Sequence, residues 1–423
     1  MRLDRPGTNN GKVTVDIPST DVVVGVRYCM KVTYVAGPRG VQIGGCLRFK
    51  LPGFKINEFS RALPVSCSNP DVGLECSDKV SAVNGKRGSE FFTIDYLFVT
   101  IRGEPLREGE TVSVDYGHQL IPRVVAPQLA QRRKVEVATD LDGSRAAPGS
   151  GFYLVQDAPV IHFVSDRPAK IEVTIPSSTV TGEPFETVVR VRDRYNNIVP
   201  DYTGTIRLLS GSDLTSSVVE TYTFSPDDHG VGVFGGTVFD RVGVNRLAVM
   251  DNGFGLYARS NPSKTTREKP SHRLFWGDTH SHSSISADSA ASNDCIPRPT
   301  GVYEYARHAS DLDFCMVTDH SQDLVDEDWA ETQQAAAAHY EPGRFVTFSA
   351  LEATHQPLRR DGDKNVYFYT DDETYFIAGS TEDLYRDLKQ RRNKVMVIPH
   401  QHARTNWACH DPELVRAVEM YAH

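Results

Sequence analysis

The sequence predicts a multidomain chain, all-β up to residue 262 and α/β from residue 272 to residue 423. Three observations point there. A length of 423 residues is more than one core ordinarily organises. Up to about residue 260, apolar residues alternate at period two in short stretches broken by Gly, Pro and Asn, the mark of antiparallel β-structure. From Phe275 onward, strand, loop and helix follow one another, the order that builds parallel βα units.

Residues 1–125 read as a β-sandwich-like domain, with Val13, Val15 and Ile17 alternating early and Phe92, Ile94 and Tyr96 later. Residues 126–165 hold the basic Arg132-Arg133-Lys134 and the turn-rich stretch 140–151, and read as a connecting segment with one or two strands. A second sandwich is expected over 166–262, where Ile171, Val173 and Ile175 alternate ahead of Val189 and Val191. Between its strands lie the turn formers Asp193-Arg194-Tyr195-Asn196-Asn197, and the stretch resembles bacterial immunoglobulin-like repeats. The polar, proline-bearing stretch 261–270 reads as a linker. In the last domain, 272–423, strands are expected at 274–277, 314–317, 345–351, 395–399 and 417–421, with helices at 302–309, 327–340 and 381–392.

Composition narrows the function. A net charge of -9 offers no basic face for a nucleic-acid backbone, although it leaves room for a small anion held by metal ions. The longest apolar runs, such as 22–24 and 395–398, fall far short of the roughly 20 residues that span a bilayer. Seven scattered cysteines without a C-x-x-C pair suit reduced thiols, and no apolar stretch follows the charged start; a cytoplasmic location is the expectation.

The chemistry is written in histidine. Eleven of the fourteen histidines lie between His272 and His423. Several close an expected strand: Asp278-Thr279-His280-Ser281-His282, Thr318-Asp319-His320 and Pro399-His400-Gln401-His402, with Glu352 ending another. On an extended segment an H-x-H pair sends both imidazoles to one side, within reach of one ion at about 2.0–2.1 Å from each nitrogen. Asp278 shares that alternation and could orient a ligand. Ser283 and Ser284 have no G-x-S-x-G setting, so a serine nucleophile finds no support.

These segments, in this order, resemble the motifs of the polymerase-and-histidinol-phosphatase superfamily. Phe275-Trp276-Gly277-Asp278-Thr279-His280-Ser281-His282 is similar to its first motif, with Asp288 where that motif places a further ligand, and Cys315-Met316-Val317-Thr318-Asp319-His320 to its second. Glu352 matches its bridging glutamate, and Ile398-Pro399-His400 a later motif. Lys364-Asn365-Val366-Tyr367-Phe368 is similar to a branch of unknown function that carries N-terminal β-sandwich regions; Asp363 stands where that branch commonly has histidine.

The resemblance implies a distorted (β/α)7 barrel, here incomplete at its C-terminus, which reads as a truncated chain. It implies a metal-dependent hydrolase, most simply a phosphoesterase, using two or three zinc, manganese or iron ions. The implied ligands are His280, His282, Asp288, His320, Glu352, Asp363 and His400, with Glu352 bridging. Asp319 and His402 are the candidate catalytic residues, Asp319 as proton acceptor or as a hydrogen-bonder behind the ligands, and Arg404 is a candidate contact for a small anionic substrate. Two other readings stay open: hydrolysis of a non-phosphate bond, and a β-sandwich binding scaffold whose last domain is inactive.

Overall fold

The computed structural model describes residues 5–7, 9–50, 63–81, 93–116, 124–143, 152–210, 218–286, 289, 297–355, 361–391, 394–401 and 404–420. The chain divides into two compact units, Met1–Asp166 and Arg167–Ala290 with Ile296–His423, apart from the short segment Ala291–Cys295.

The first unit is all β. Its four-stranded sheet sets Met30–Val35 between Lys12–Asp16 and Thr111–Tyr116. The alternation seen in the sequence becomes burial there: Met30, Val32 and Tyr34 are buried while Lys31 and Thr33 face outward. A six-stranded sheet carries Val137–Asp140 between Cys46–Lys50 and Tyr153–Val155, so the stretch read as a connection supplies interior strands of this unit.

The second unit opens on an immunoglobulin-like sandwich. One sheet places Phe185–Arg192 between Lys170–Thr174 and Val231–Thr237; another places Thr205–Leu209 and Ala248–Asp251 side by side. Ile171, Val173, Val189, Val191, Ile206, Leu208, Phe224, Phe234 and Val249 from both sheets form one core. The turn after Phe185–Arg192 is tied by Asp193, whose Oδ1 accepts from the backbone N–H groups of Tyr195 and Asn197 at 2.8 and 2.9 Å. That geometry lets Asn196 take a left-handed φ of 72°. The stretch read as a linker holds a strand, Ser263–Thr266, paired with Ser178–Val180 and Gly243–Asn245.

Beyond this sandwich the barrel expectation is overturned. Strand makes up 41% of the described residues and helix 12%, and the C-terminal strands form no barrel among them. Gly277–Ser281 and Phe314–Val317 make a two-stranded parallel sheet, whereas Ser349–Ala353, Lys364–Phe368 and Val395–Pro399 make a three-stranded antiparallel one. The reason lies in connection length. Only ten residues separate Ala353 from Lys364, too few for the crossover of a dozen or more that a parallel neighbour needs, so the chain turns back. Of the expected strand at 417–421, residues 417–420 are described and form no strand; just before them Val415 bridges to Val397, and the N–H of Glu419 donates to Pro399 O.

Helices pack beside these strands. Asp326–His339 starts on three acids, Asp326, Glu327 and Asp328, which favour the positive end of its dipole, and buries Trp329, Thr332, Ala335 and Ala336. Thr381–Gln390 is capped by Ser380, whose Oγ accepts from Asp383 N at 3.1 Å, a contact generally worth about 1 kcal/mol. Its Leu384, Tyr385 and Leu388 join Leu351, Val366, Phe368 and Val397 in one core. Helix Pro299–Glu304 runs into a wider turn, Tyr305–Ala309. That turn is fastened to the sandwich by Arg190, which donates to His308 O at 2.8 Å, and by Arg192, which donates to Ala309 O.

Candidate metal centre

Strand alternation in the antiparallel sheet sorts its side chains. Val366 and Phe368 point into the core with Leu351 and Val397, which leaves Glu352 on the opposite face, at the end of its strand. Gly277–Ser281 brings His280 and, just beyond it, His282 to the same place; His320 follows Phe314–Val317, and His400 follows Val395–Pro399. Backbone bridges between His320 and Glu352 hold two of these strand ends together.

Four imidazoles therefore surround one carboxylate. Oε2 of Glu352 lies 2.9 Å from Nε2 of His282, 3.4 Å from Nε2 of His280 and 3.4 Å from Nδ1 of His320; Oε1 lies 3.7 Å from Nε2 of His400. Glu352 is 1% exposed, and its oxygens are faced by these ring nitrogens at ion-pair distance. An ionised carboxylate buried in this way is costly unless a cation meets it.

The spacing has the dimensions of a metal-ligand set. His280 Nε2 and His282 Nε2 lie 3.2 Å apart, and with Glu352 Oε2 they form a triangle of edges 3.2, 3.4 and 2.9 Å. Ligand atoms about 2.0–2.1 Å from a tetrahedral ion stand about 3.3–3.4 Å from one another. A second group, His320, Glu352 and Asp363, and a third, His280, His400 and Glu419, each place their ligand atoms within 4.8 Å.

Other groups hold these side chains in place. Glu419 Oε2 is 2.8 Å from His280 Nδ1, which keeps that ring's Nε2 turned toward Glu352. Thr354 Oγ1 lies 2.8 Å from His320 Nδ1. Asp363, buried, accepts from Gln401 Nε2 at 2.9 Å. Asp278 accepts from the backbone N–H of His280 at 2.9 Å, so it fixes the chain rather than the ring. His280, His282 and His400 are only partly covered, so solvent reaches the cluster from their side.

Charge within the cluster is strongly coupled. Burial alone would push the Glu352 carboxyl up, but His280, His282 and His320 hold it far below its usual range. Burial alone would pull His280 down, but Glu352 and Glu419 raise it. Such opposed shifts mark a site built around charge.

Of the residues singled out in the sequence, His280, His282, His320, Glu352, Asp363 and His400 come together. Asp319 sits behind them, buried. Its Oδ1 accepts from Ser283 N, Ser286 N and Ser286 Oγ, and its Oδ2 from Ser283 Oγ at 2.6 Å. Arg404 is exposed, in the turn after Val395–Pro399. Asp288, His402 and His423 lie outside the described residues. Glu419 and Thr354 were missed by motif reasoning; the one legible signal was that Glu419 falls in an apolar-flanked stretch, Val418-Glu419-Met420.

A family model described as "Protein of unknown function (DUF3604)" matches residues 309–416. None of the curated proteins compared with the chain matches it. Among solved structures, the chain is similar to a superoxide reductase (neelaredoxin) from Ignicoccus hospitalis at 15% identity and TM-score 0.19, over 23% of this chain and 82% of that one. It is also similar to the Escherichia coli adhesin FdeC at 13% identity and TM-score 0.22, over 62% of this chain and 67% of that one. A third similarity is to the Yersinia pseudotuberculosis adhesin InvE, at 9% identity and TM-score 0.19 over 62% of each chain. Scores this low carry no argument about fold or function. The matching family model, of unknown function, covers most of the strand-end motifs and is not that of the polymerase-and-histidinol-phosphatase superfamily, so that resemblance is set aside.

Proposed function

We propose that the histidine–carboxylate cluster binds two or more divalent metal ions and hydrolyses a small anionic ester, most simply a phosphoester. The observation that carries this reading is the buried carboxylate of Glu352 at the centre of four imidazoles, with ligand-to-ligand distances of 2.9–3.4 Å around its Oε2. Imidazole mixed with carboxylate suits zinc, manganese or iron better than calcium or magnesium. When bound, such ions polarise an ester oxygen and supply a water that ionises near neutral pH.

The chain's own residues do the rest. His280, His282 and Glu352 make one set of ligands, and His320, Glu352 and Asp363 a second. Glu352 belongs to both sets, so it would serve each, and ions held there would supply a clamp for the oxygens of a tetrahedral group. Glu419 orients the His280 imidazole through its far nitrogen. Asp319 anchors the Ser283–Ser286 turn against the strand end, fixing the loop that presents His282.

Metal content of the purified chain, measured by plasma mass spectrometry beside a His280→Ala/His282→Ala double variant, tests the site; hydrolysis of p-nitrophenyl phosphate tests the reaction. Two or more ions per chain, reduced in the variant, with metal-dependent release of nitrophenol, is the expected result. Metal-free protein after growth with zinc, manganese and iron would sink the proposal.

A further inference from the structure

We infer that Asn365 is the residue that contacts an anionic oxygen of the substrate, an assignment that rests on the metal-dependent hydrolase reading. Asn365 lies on the central strand of the antiparallel sheet, directly opposite Glu352 on one side and Ile398 on the other. Because Val366 and Phe368 fill the core, alternation sends Asn365 to the face that carries Glu352. Directly opposed residues have Cβ atoms about 4.5–5.5 Å apart, so the amide stands beside the carboxylate at the centre of the cluster.

Asn365 is 0% exposed, and neither its Oδ1 nor its Nδ2 makes a well-formed hydrogen bond among the described residues, although the Tyr367 hydroxyl lies close enough to touch the amide. Tyr367, its neighbour along the same face, donates its hydroxyl to Thr279 O at 2.7 Å. A primary amide has two N–H donors and a carbonyl acceptor, and leaving most of them unmade in the interior is destabilising. Leucine has the same branched side-chain skeleton, though somewhat bulkier, without that penalty. The amide therefore answers to something that enters the site.

Its chemistry narrows what that is. Glu352, Glu419 and Asp363 crowd the cluster with negative charge, and the imidazoles turn toward Glu352. Asn365 is a neutral donor beside that carboxylate, suited to an oxyanion without competing for a metal ligand. A tetrahedral anion held by the ions would present an oxygen to Nδ2, a contact of the kind that oxyanion-binding side chains make.

The test uses the full chain loaded with zinc or manganese, and inorganic phosphate as the probe. Phosphate affinity is measured by titration calorimetry in the wild type, Asn365→Leu and Asn365→Asp, with metal content measured alongside and melting temperature in the metal-free state. Asn365→Leu is expected to keep its metal, to lose phosphate affinity by tenfold or more, and to melt a few degrees higher than the wild type when metal-free. Asn365→Asp is expected to lose phosphate binding as well, by charge repulsion. Wild-type phosphate affinity in Asn365→Leu would overturn the assignment, as would a loaded wild type that binds no phosphate. So would a lower melting temperature in Asn365→Leu, which would show the amide holding the fold; that comparison decides even in a chain that takes up no metal. Failure to load metal at all counts against the hydrolase reading instead.

Discussion

Glu419 Oε2 lies 2.8 Å from Nδ1 of His280, across 139 residues of chain. A carboxylate on the far nitrogen of an imidazole fixes its tautomer and makes the near nitrogen a better ligand. Glu419→Ala should therefore weaken metal binding by roughly 10- to 100-fold, while Glu419→Gln, which keeps an acceptor oxygen, should lose less. Competition with a chelator of known affinity reads this directly. Equal affinity in all three proteins would mean that Glu419 leaves His280 free to turn.

In the metal-free protein the same cluster should set a pH optimum of stability. The Glu352 carboxyl is held below its usual 4.5, so its contribution is complete above that value and fades as pH falls through the lower folded one. His280 is raised above its usual 6.5, so its contribution is complete below 6.5 and fades as pH rises through the higher folded value. Both are whole between pH 4.5 and 6.5. With a chelator present, the melting temperature of the wild type relative to Glu352→Gln should peak in that window. Added metal should move the advantage toward pH 7 and above, because ions displace the protons. A difference that stays flat with pH would refute the coupling.

A buried ion pair joins the sandwich to the segment just after the Tyr305–Ala309 turn. Arg190 Nη2 is 2.9 Å from Asp311 Oδ1, with the two side chains 2% and 12% exposed. Arg190 also donates to His308 O, and burial pulls its guanidinium below the usual value while Asp311 partly restores it. Removing Arg190 leaves Asp311 only the more exposed Arg344, 3.3 Å from its Oδ1, so the loss should fall toward the lower end of the roughly 3–5 kcal/mol that breaking a buried pair generally costs. Arg190→Met should show it in urea unfolding, and the double variant Arg190→Met/Asp311→Asn should recover part of it. Asparagine is the right partner because Asp311 has a φ of 55°, which asparagine tolerates. No recovery would place the cost in the lost backbone bonds to the turn.

How much of this was legible in the sequence depends on the range of the interaction that decides it. Burial at period two, as at Met30, Val32 and Tyr34, is local, and so is the placement of His280, His320, Glu352 and His400 at strand ends. Strand direction is not local. Ser349–Ala353 and Lys364–Phe368 read as members of an alternating βα series, but the short stretch between them forces an antiparallel pair, and the barrel expectation fails there. Val137–Asp140 looked like part of a connection because its neighbours are turn-rich; its partners at Cys46–Lys50 are some ninety residues away. The same distance hides Glu419 from any motif, since its role exists only once Val397 and Val415 bring the tail beside His280.

Asp319 shows how a motif residue takes a different task once its partners are known. Ser283 and Ser286 give its carboxylate four donors, two backbone N–H groups and two hydroxyls, which occupy both oxygens. A carboxylate so engaged has little capacity left to take a proton from water, and Ser286 Oγ in turn accepts from His320 N at 3.0 Å. Asp319→Asn puts an amide nitrogen against these donors, so the expected result is a melting temperature lower by several degrees and weaker metal binding, with the pH dependence of any residual hydrolysis unmoved. Asp319→Glu should fare no better, because the longer side chain cannot meet the same four donors. A variant that melts and binds metal as the wild type does, yet has lost its basic limb in the pH–rate profile, would return Asp319 to the role of proton acceptor.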